Sequence, residues 1–293
     1  MNSFDFSKIK ISSIDRLRFG TAGIPLSTPD KAKVGISGGI AHVNKLGLEN
    51  MELEFVHSVN VTDKTASSIN DARIKNDVIL SAHGSYYINL NAIEKEKIHA
   101  SKQRIMQAAH FGRMAGVWSL TFHAAYYLKD EKSVVYSRVK EQLKHIVSQL
   151  QEVDNTIWIR PETTGKGTQF GDLKEIVALS QEVEQVLPCV DFAHLHARTG
   201  GKNNTTAEFR ELLTIIEKDL GRRGLDNMHI HMSGIAYSDK GERNHLFLKD
   251  SDFNYEDLLR VWKEFKIKGV VVCESPNIES DALLMKKFYY GLK

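Results

Sequence analysis

The chain has only two cysteines among 293 residues, Cys189 and Cys273. That is too few for a disulfide framework, and both sit in apolar runs. A reducing, intracellular (cytoplasmic) setting is expected. An excess of one charge is also missing. The 39 Lys and Arg stand against 37 Asp and Glu, a net charge of +2, so any nucleic-acid contact must come from a local patch. The longest uncharged stretch, MAGVWSLTFHAAYYL at 114–128, is too short to span a bilayer and contains a histidine. The start, MNSFDFSKIK, has no apolar h-region and no small-residue cleavage site, so no secretion signal is expected. There is no GxGxxG and no P-loop, which argues against a nucleotide cofactor. FGTAGIP could cradle a phosphate at most. No linker, low-complexity tract or charge block divides the chain, and one domain over 1–293 is expected.

What is present is a regular alternation in a globular composition, 42% hydrophobic and 26% charged. Apolar or β-branched runs occur at RLRFGTA (16–22), MELEFVH (51–57), DVILSAH (77–83), GVWSLTFH (116–123), TIWIRPE (156–162), VLPCVDF (186–192), MHIHMS (228–233) and KGVVVCE (268–274). Segments with apolar residues at spacings of three and four follow them, such as SVVYSRVKEQLKHIVSQLQEV and TAEFRELLTIIEKDLG. The first helix, near 31–46, is weakened by Gly35, Gly38 and Gly39. Strand and helix repeated eight times predict an α/β chain closed as a (β/α)8 TIM barrel, with an open doubly wound sheet as the alternative. In GVWSLTFH, alternation puts Ser119, Thr121 and His123 towards the barrel interior. It puts Trp118, Leu120 and Phe122 beneath the helices. In KGVVVCE, Glu274 shares its face with Val270 and Val272, and Cys273 packs outward.

The loops at the C-terminal ends of barrel strands converge on the axis, and chemistry sits there. Those ends carry His57, His83, His123, Glu162, Asp191 with His194 and His196, His229 and His231, and Glu274. His245 follows in the loop after the seventh strand. One such residue has a plain structural explanation as a core histidine or a helix cap. A ring of them would bury several ionisable groups without partners. Divalent ions remove that difficulty. Imidazole and carboxylate with almost no thiolate suit zinc, manganese or iron. The set exceeds the needs of one ion, so two or three ions bridged by a carboxylate are expected. His42, His99, His110 and His145 fall in predicted helices and are read as ordinary side chains.

These motifs, in this order, resemble the endonuclease IV family of metal-dependent apurinic/apyrimidinic endonucleases, among the xylose-isomerase-like barrels. AHGSYYINL resembles the family's His-small-small-Tyr segment, which implies His83 as a ligand. SLTFHAA implies His123, and IRPETTGKGTQFG resembles Glu-Asn-Thr-Ala-Gly, implying Glu162 as the bridge between two ions. VDFAH matches Asp-x-x-His and implies Asp191 and His194; VVCESPN resembles the last-strand Glu-Thr-Pro and implies Glu274. Two departures stand out. The seventh-strand motif, usually His-Leu-Asn-Asp, reads HIHMSG. Aligned by strand end, His229 takes the ligand's place and His231 is an addition; slid by two, His231 takes it. The Asp-Arg-His triplet of the third metal reads GERNH. It keeps His245 and leaves Glu242 or His231 to replace the aspartate, and the reading adopted is that His231 does so.

The resemblance implies a monomer that hydrolyses the phosphodiester 5′ to abasic sites in duplex DNA, with Glu162 and Glu274 at the catalytic centre and zinc as the expected metal. It implies that Tyr86, with Tyr87 beside it, enters the duplex. Lys166, Arg198 and Arg243, with Arg160 and Lys202, are candidate phosphate contacts. The competing readings are a metal-dependent sugar isomerase or epimerase on the same barrel, and a barrel that keeps metal only for stability. Histidines on both the third and fourth strands favour the endonuclease. The number of ligands disfavours a purely structural site, which needs only four.

Overall fold

The computed structural model describes residues 5–6 and 14–292. Most of the amino-terminal stretch read above for a secretion signal lies outside them. The elements alternate as β1 (Leu17–Ala22), α1 (Lys31–Lys45), β2 (Asn50–Glu54), α2 (Asp63–Lys75), β3 (Ile79–His83), α3 (Lys95–Met114) and β4 (Val117–Phe122). Next come β5 (Ala125–Tyr126), α4 (Lys132–Gln151), β6 (Trp158–Pro161), β7 (Gln169–Phe170), α5 (Leu173–Glu182), β8 (Cys189–Asp191) and α6 (Phe192–Arg198). The remainder are α7 (Thr206–Leu225), β9 (Met228–Met232), β10 (Gly234–Ser238), β11 (Gly241–Leu246), α8 (Tyr255–Glu264), β12 (Gly269–Cys273) and α9 (Glu279–Gly291).

Eight parallel strands run in the order β6-β4-β3-β2-β1-β12-β9-β8. Parallel bridges from Ile159 to Val186 and from Glu162 to Cys189 join the two ends into a barrel. The expected TIM architecture is therefore the observed one. Its helices form for the reasons the sequence suggests. Along α4, Val135, Val139, Leu143, Ile146, Val147 and Leu150 make one buried stripe at helical spacing. Asp172 with Glu175 and Thr205 with Glu208 form capping boxes at the starts of α5 and α7. The weak first helix is broken at Gly35, whose φ of 58° is left-handed.

Three sequence expectations need correction. β2 ends at Glu54, so His57 is an exposed loop residue and not a strand-end group. Trp118 does not pack beneath the helices. The β3–β4 register shifts between Leu80 and Ser81, and Trp118 joins Ile79 and Val270 in a small cluster apart from the main helix-packed core. A bulge of this kind re-aims a side chain, and alternation cannot foresee it. The segment after β9 is not plain loop: β10 and β11 form an antiparallel hairpin with a register shift at Ala236/Tyr237.

Candidate metal centre

The strands deliver their polar residues to one end of the barrel. His83 closes β3, and Glu162 follows β6 directly. Asp191 closes β8, where its Oδ1 accepts from the His194 backbone N–H at 2.6 Å and so caps α6. That single turn places Asp191 and His194 side by side. His231 lies in β9 and Glu274 follows β12. In the hairpin, His245 pairs with Ile235 and Glu242 with Tyr237, which brings both back over the barrel.

Glu162 is the hub and is 1% exposed. Its Oε2 lies 3.3 Å from His83 Nε2. Its Oε1 lies 3.5 Å from His123 Nε2, 3.3 Å from His194 Nδ1 and 3.3 Å from His231 Nδ1. Three groups have donor atoms close enough to share an ion: His83, His123 and Glu162; Glu162, Asp191, His231 and Glu274; and His194, Glu242 and His245. Within each, the atoms lie within 4.8 Å of one another. Cys189, His229 and His231 satisfy the same distance. However, both His229 nitrogens are taken, Nε2 by Glu52 Oε2 and Nδ1 by Ser119 Oγ, each at 2.9 Å, so that group offers no free site.

The arrangement fits divalent ions on its own chemistry. Glu162 Oε2, Asp191 Oδ2 and His231 Nδ1 are buried and have no hydrogen-bond partner. A buried polar atom without an aligned partner is unfavourable, and a cation at these atoms would satisfy all three. Electrostatics in the metal-free chain points the same way. Burial raises Glu162, but the His231 and His123 rings overcome it and hold the carboxyl well below its usual range. Burial likewise opposes, and His231 drives, a fall of Glu274 to about 2. Asp191 is pushed by burial to about 6 despite His194. Burial lowers His83, His194 and His231, but the surrounding carboxylates overcome it and raise all three above the usual imidazole range.

Some expected residues fall elsewhere. His229 does not reach the group around Glu162; it lies buried beneath it, one pleat deeper. His231, two residues on, makes those contacts instead. The group with His194 and His245 contains Glu242 and not His231. His196 is also absent from the groups: its Nδ1 faces Lys202 O and its Nε2 faces Asp252. Arg160 is fully buried, stacked 4.6 Å from the Trp118 ring, with Nη1 donating to Pro188 O, so it is no surface phosphate contact. Arg198 Nη1 donates to Thr164 Oγ1 and to the carbonyls of Lys166 and Gln169, bracing the loop after β6. Lys202 is exposed and Lys166 half-buried on mouth loops, and Arg243 is exposed on β11. Tyr86 and Tyr87 are 57% and 62% exposed, with the Tyr86 ring 5.6 Å from His83.

Two residues escaped the sequence reading. Glu52 is fully buried between His229 and His231, and Glu54 stands near it, raised to about 8 by burial and by the Glu52 charge. The signal was available: in MELEF two carboxylates alternate with apolar residues on one strand face, as the two histidines do in MHIHM.

Comparison with known proteins agrees with this barrel. The model of the xylose isomerase-like TIM barrel family matches residues 40–287. The uncharacterized protein MJ0133 of Methanocaldococcus jannaschii is 43% identical over 276 residues, 94% of this chain and 98% of that protein. Endonuclease IV from Thermus thermophilus superposes with a TM-score of 0.72 at 16% identity, covering 94% of this chain and 98% of that one. A D-tagatose 3-epimerase-like protein superposes with a TM-score of 0.71, also at 16% identity, over 94% and 96%. The endonuclease IV resemblance thus extends to the whole barrel, while the fold is shared with epimerases. No described helix is long and apolar enough to cross a membrane. By its sequence match and its barrel, the chain belongs to the xylose isomerase-like TIM barrel family.

Proposed function

We propose that the chain is a metal-dependent endonuclease that hydrolyses the phosphodiester 5′ to abasic sites in duplex DNA. The observation that carries the reading is the three-part donor set around Glu162. A shared carboxylate with five histidines and three further carboxylates suits a phosphate ester, whose non-bridging, attacking and leaving oxygens all carry charge. Zinc fits the imidazole-rich donors, with manganese or iron as substitutes. Bound there, the ions would supply hydroxide near neutral pH and neutralise charge on the phosphate. Glu162 would hold two of them in place. His83 and His123 would complete one site, Asp191, His231 and Glu274 a second, and His194, Glu242 and His245 a third.

The rim is suited to a duplex. Tyr86, beside His83, and its neighbour Tyr87 present exposed rings that could fill a gap in a base stack. Lys166 and Lys202 on mouth loops and Arg243 on the β11 hairpin would contact backbone phosphates. Sugar epimerisation is the second reading, because an epimerase-like barrel superposes equally well. It leaves the donors from β3, β4 and the hairpin without a task, since moving a proton between adjacent carbons needs one or two ions.

The test is incubation of the protein with a duplex carrying a synthetic abasic site. A single nick 5′ to the lesion, leaving a 3′-hydroxyl, is expected. It should vanish with a chelator, return with added zinc or manganese, and be absent on undamaged duplex. No nick under any metal, together with interconversion of ketohexose epimers, would establish the second reading instead.

A further inference from the structure

The deepest part of the centre contains a carboxylate that no proposed ion site uses. Glu52, on β2, is fully buried. Its Oε2 accepts from Ser81 Oγ at 2.6 Å and stands 2.9 Å from His229 Nε2. His229 is fixed in turn by Ser119 Oγ, 2.9 Å from its Nδ1. The other carboxylate oxygen, Oε1, is 2.9 Å from His231 Nε2, nearer than the 3.3 Å and 3.4 Å that separate His231 Nδ1 from Glu162 and Glu274. The Oε1 contact is off the hydrogen-bonding angle, so both atoms still lack an aligned partner. His231 is thus a ring with a carboxylate at each nitrogen, one of them anchored from behind by two strands.

We infer that Glu52 is a positioning residue: clamped by His229 and Ser81, it keeps the proton of His231 on Nε2 and so presents the bare Nδ1 to the ion held with Glu162, Asp191 and Glu274. The inference rests on the reading of that group as a metal site. A metal-ligating imidazole coordinates through one nitrogen and donates through the other, and a carboxylate at the second nitrogen fixes tautomer and ring orientation. The arrangement also accounts for the two histidines on one strand face. His231 faces the ion, and His229 holds the carboxylate that aims it.

The experiment measures zinc affinity in the DNA-free protein by competition with a chromophoric chelator, for the wild type, Glu52→Gln and Glu52→Asp. In Glu52→Gln one bound equivalent should weaken by about 10–100-fold, the usual effect of removing such a partner, while the others are held as before. Glu52→Asp should recover part of the loss. Nitrogen-15 NMR of the histidines in the zinc-loaded wild type should place the His231 proton on Nε2, and this measurement decides the matter if the variants do not fold. Wild-type affinity at every site in Glu52→Gln, or a His231 proton on Nδ1, would overturn the inference, as would a protein that binds no zinc. A protein that shows the Glu52 dependence but leaves abasic DNA intact would keep the inference and refute the endonuclease reading.

Discussion

Glu162→Gln is expected to lose more than one equivalent of bound metal and to lower nicking of abasic duplex by at least about 10²–10³-fold, the range seen when one group that stabilises transition-state charge is removed. The substitution keeps the shape of the side chain. It replaces one oxygen by an amide NH2, which cannot ligate, and removes the negative charge. Glu162 Oε2 faces His83, and Oε1 faces His123, His194 and His231. Among the described residues, no other belongs to two of the three groups around the barrel mouth. Metal analysis after gel filtration reads the stoichiometry, and single-turnover nicking reads the rate. Loss of one equivalent only would mean that Glu162 serves a single ion, and the shared-carboxylate arrangement would be abandoned. Retention of every equivalent would remove Glu162 from the centre altogether.

Gly20→Ala should be among the most damaging small substitutions in the barrel, costing about 4 kcal/mol or more, at the exceptional end of single mutations. A Cβ at Gly20 would stand 1.8 Å from Asn50 O and 2.5 Å from Asn50 Cγ. Asn50 is fully buried, and its Nδ2 donates to Arg18 O at 2.7 Å and Val271 O at 3.0 Å. One side chain therefore ties β2 to β1 and β12, and only a glycine leaves room for it. Moving Asn50 would break both bonds inside the barrel wall, and β2 and β12 are the strands that position Glu52 and Glu274. Urea unfolding of the metal-free protein checks this. The midpoint should fall sharply or folded protein should not be recovered. A change within about 1 kcal/mol would show that the wall can shift around Asn50 and that the strand spacing is not fixed there.

The sequence carries the barrel because periodicity survives in most strands and helices. The strand ends His83, Glu162, Asp191 and Glu274 could be found by position alone, since each closes or directly follows a buried run. What could not be read has local causes. Nothing in LSAHG or GVWSLTFH announces the register shift that turns Trp118. The hairpin that carries Glu242 and His245 has a shift of its own, so the spacing in GERNH does not say which side chains face the barrel. Choosing between His229 and His231 required the depth of each along β9, which alternation leaves open because both share a face. Glu52 and Glu54 were legible as alternating carboxylates, but Glu52 lies inside β2, short of the strand end where barrel chemistry is expected. Glu52 inside β2, like His229 inside β9, marks the floor of the centre.

The central claim is that three ions gather around Glu162. It is tested most directly by anomalous scattering from crystals of the zinc-loaded protein. The account predicts three peaks: one against His83, His123 and Glu162, one against Glu162, Asp191, His231 and Glu274, and one against His194, Glu242 and His245. A single peak, or a peak bound by His229 in place of His231, would contradict it.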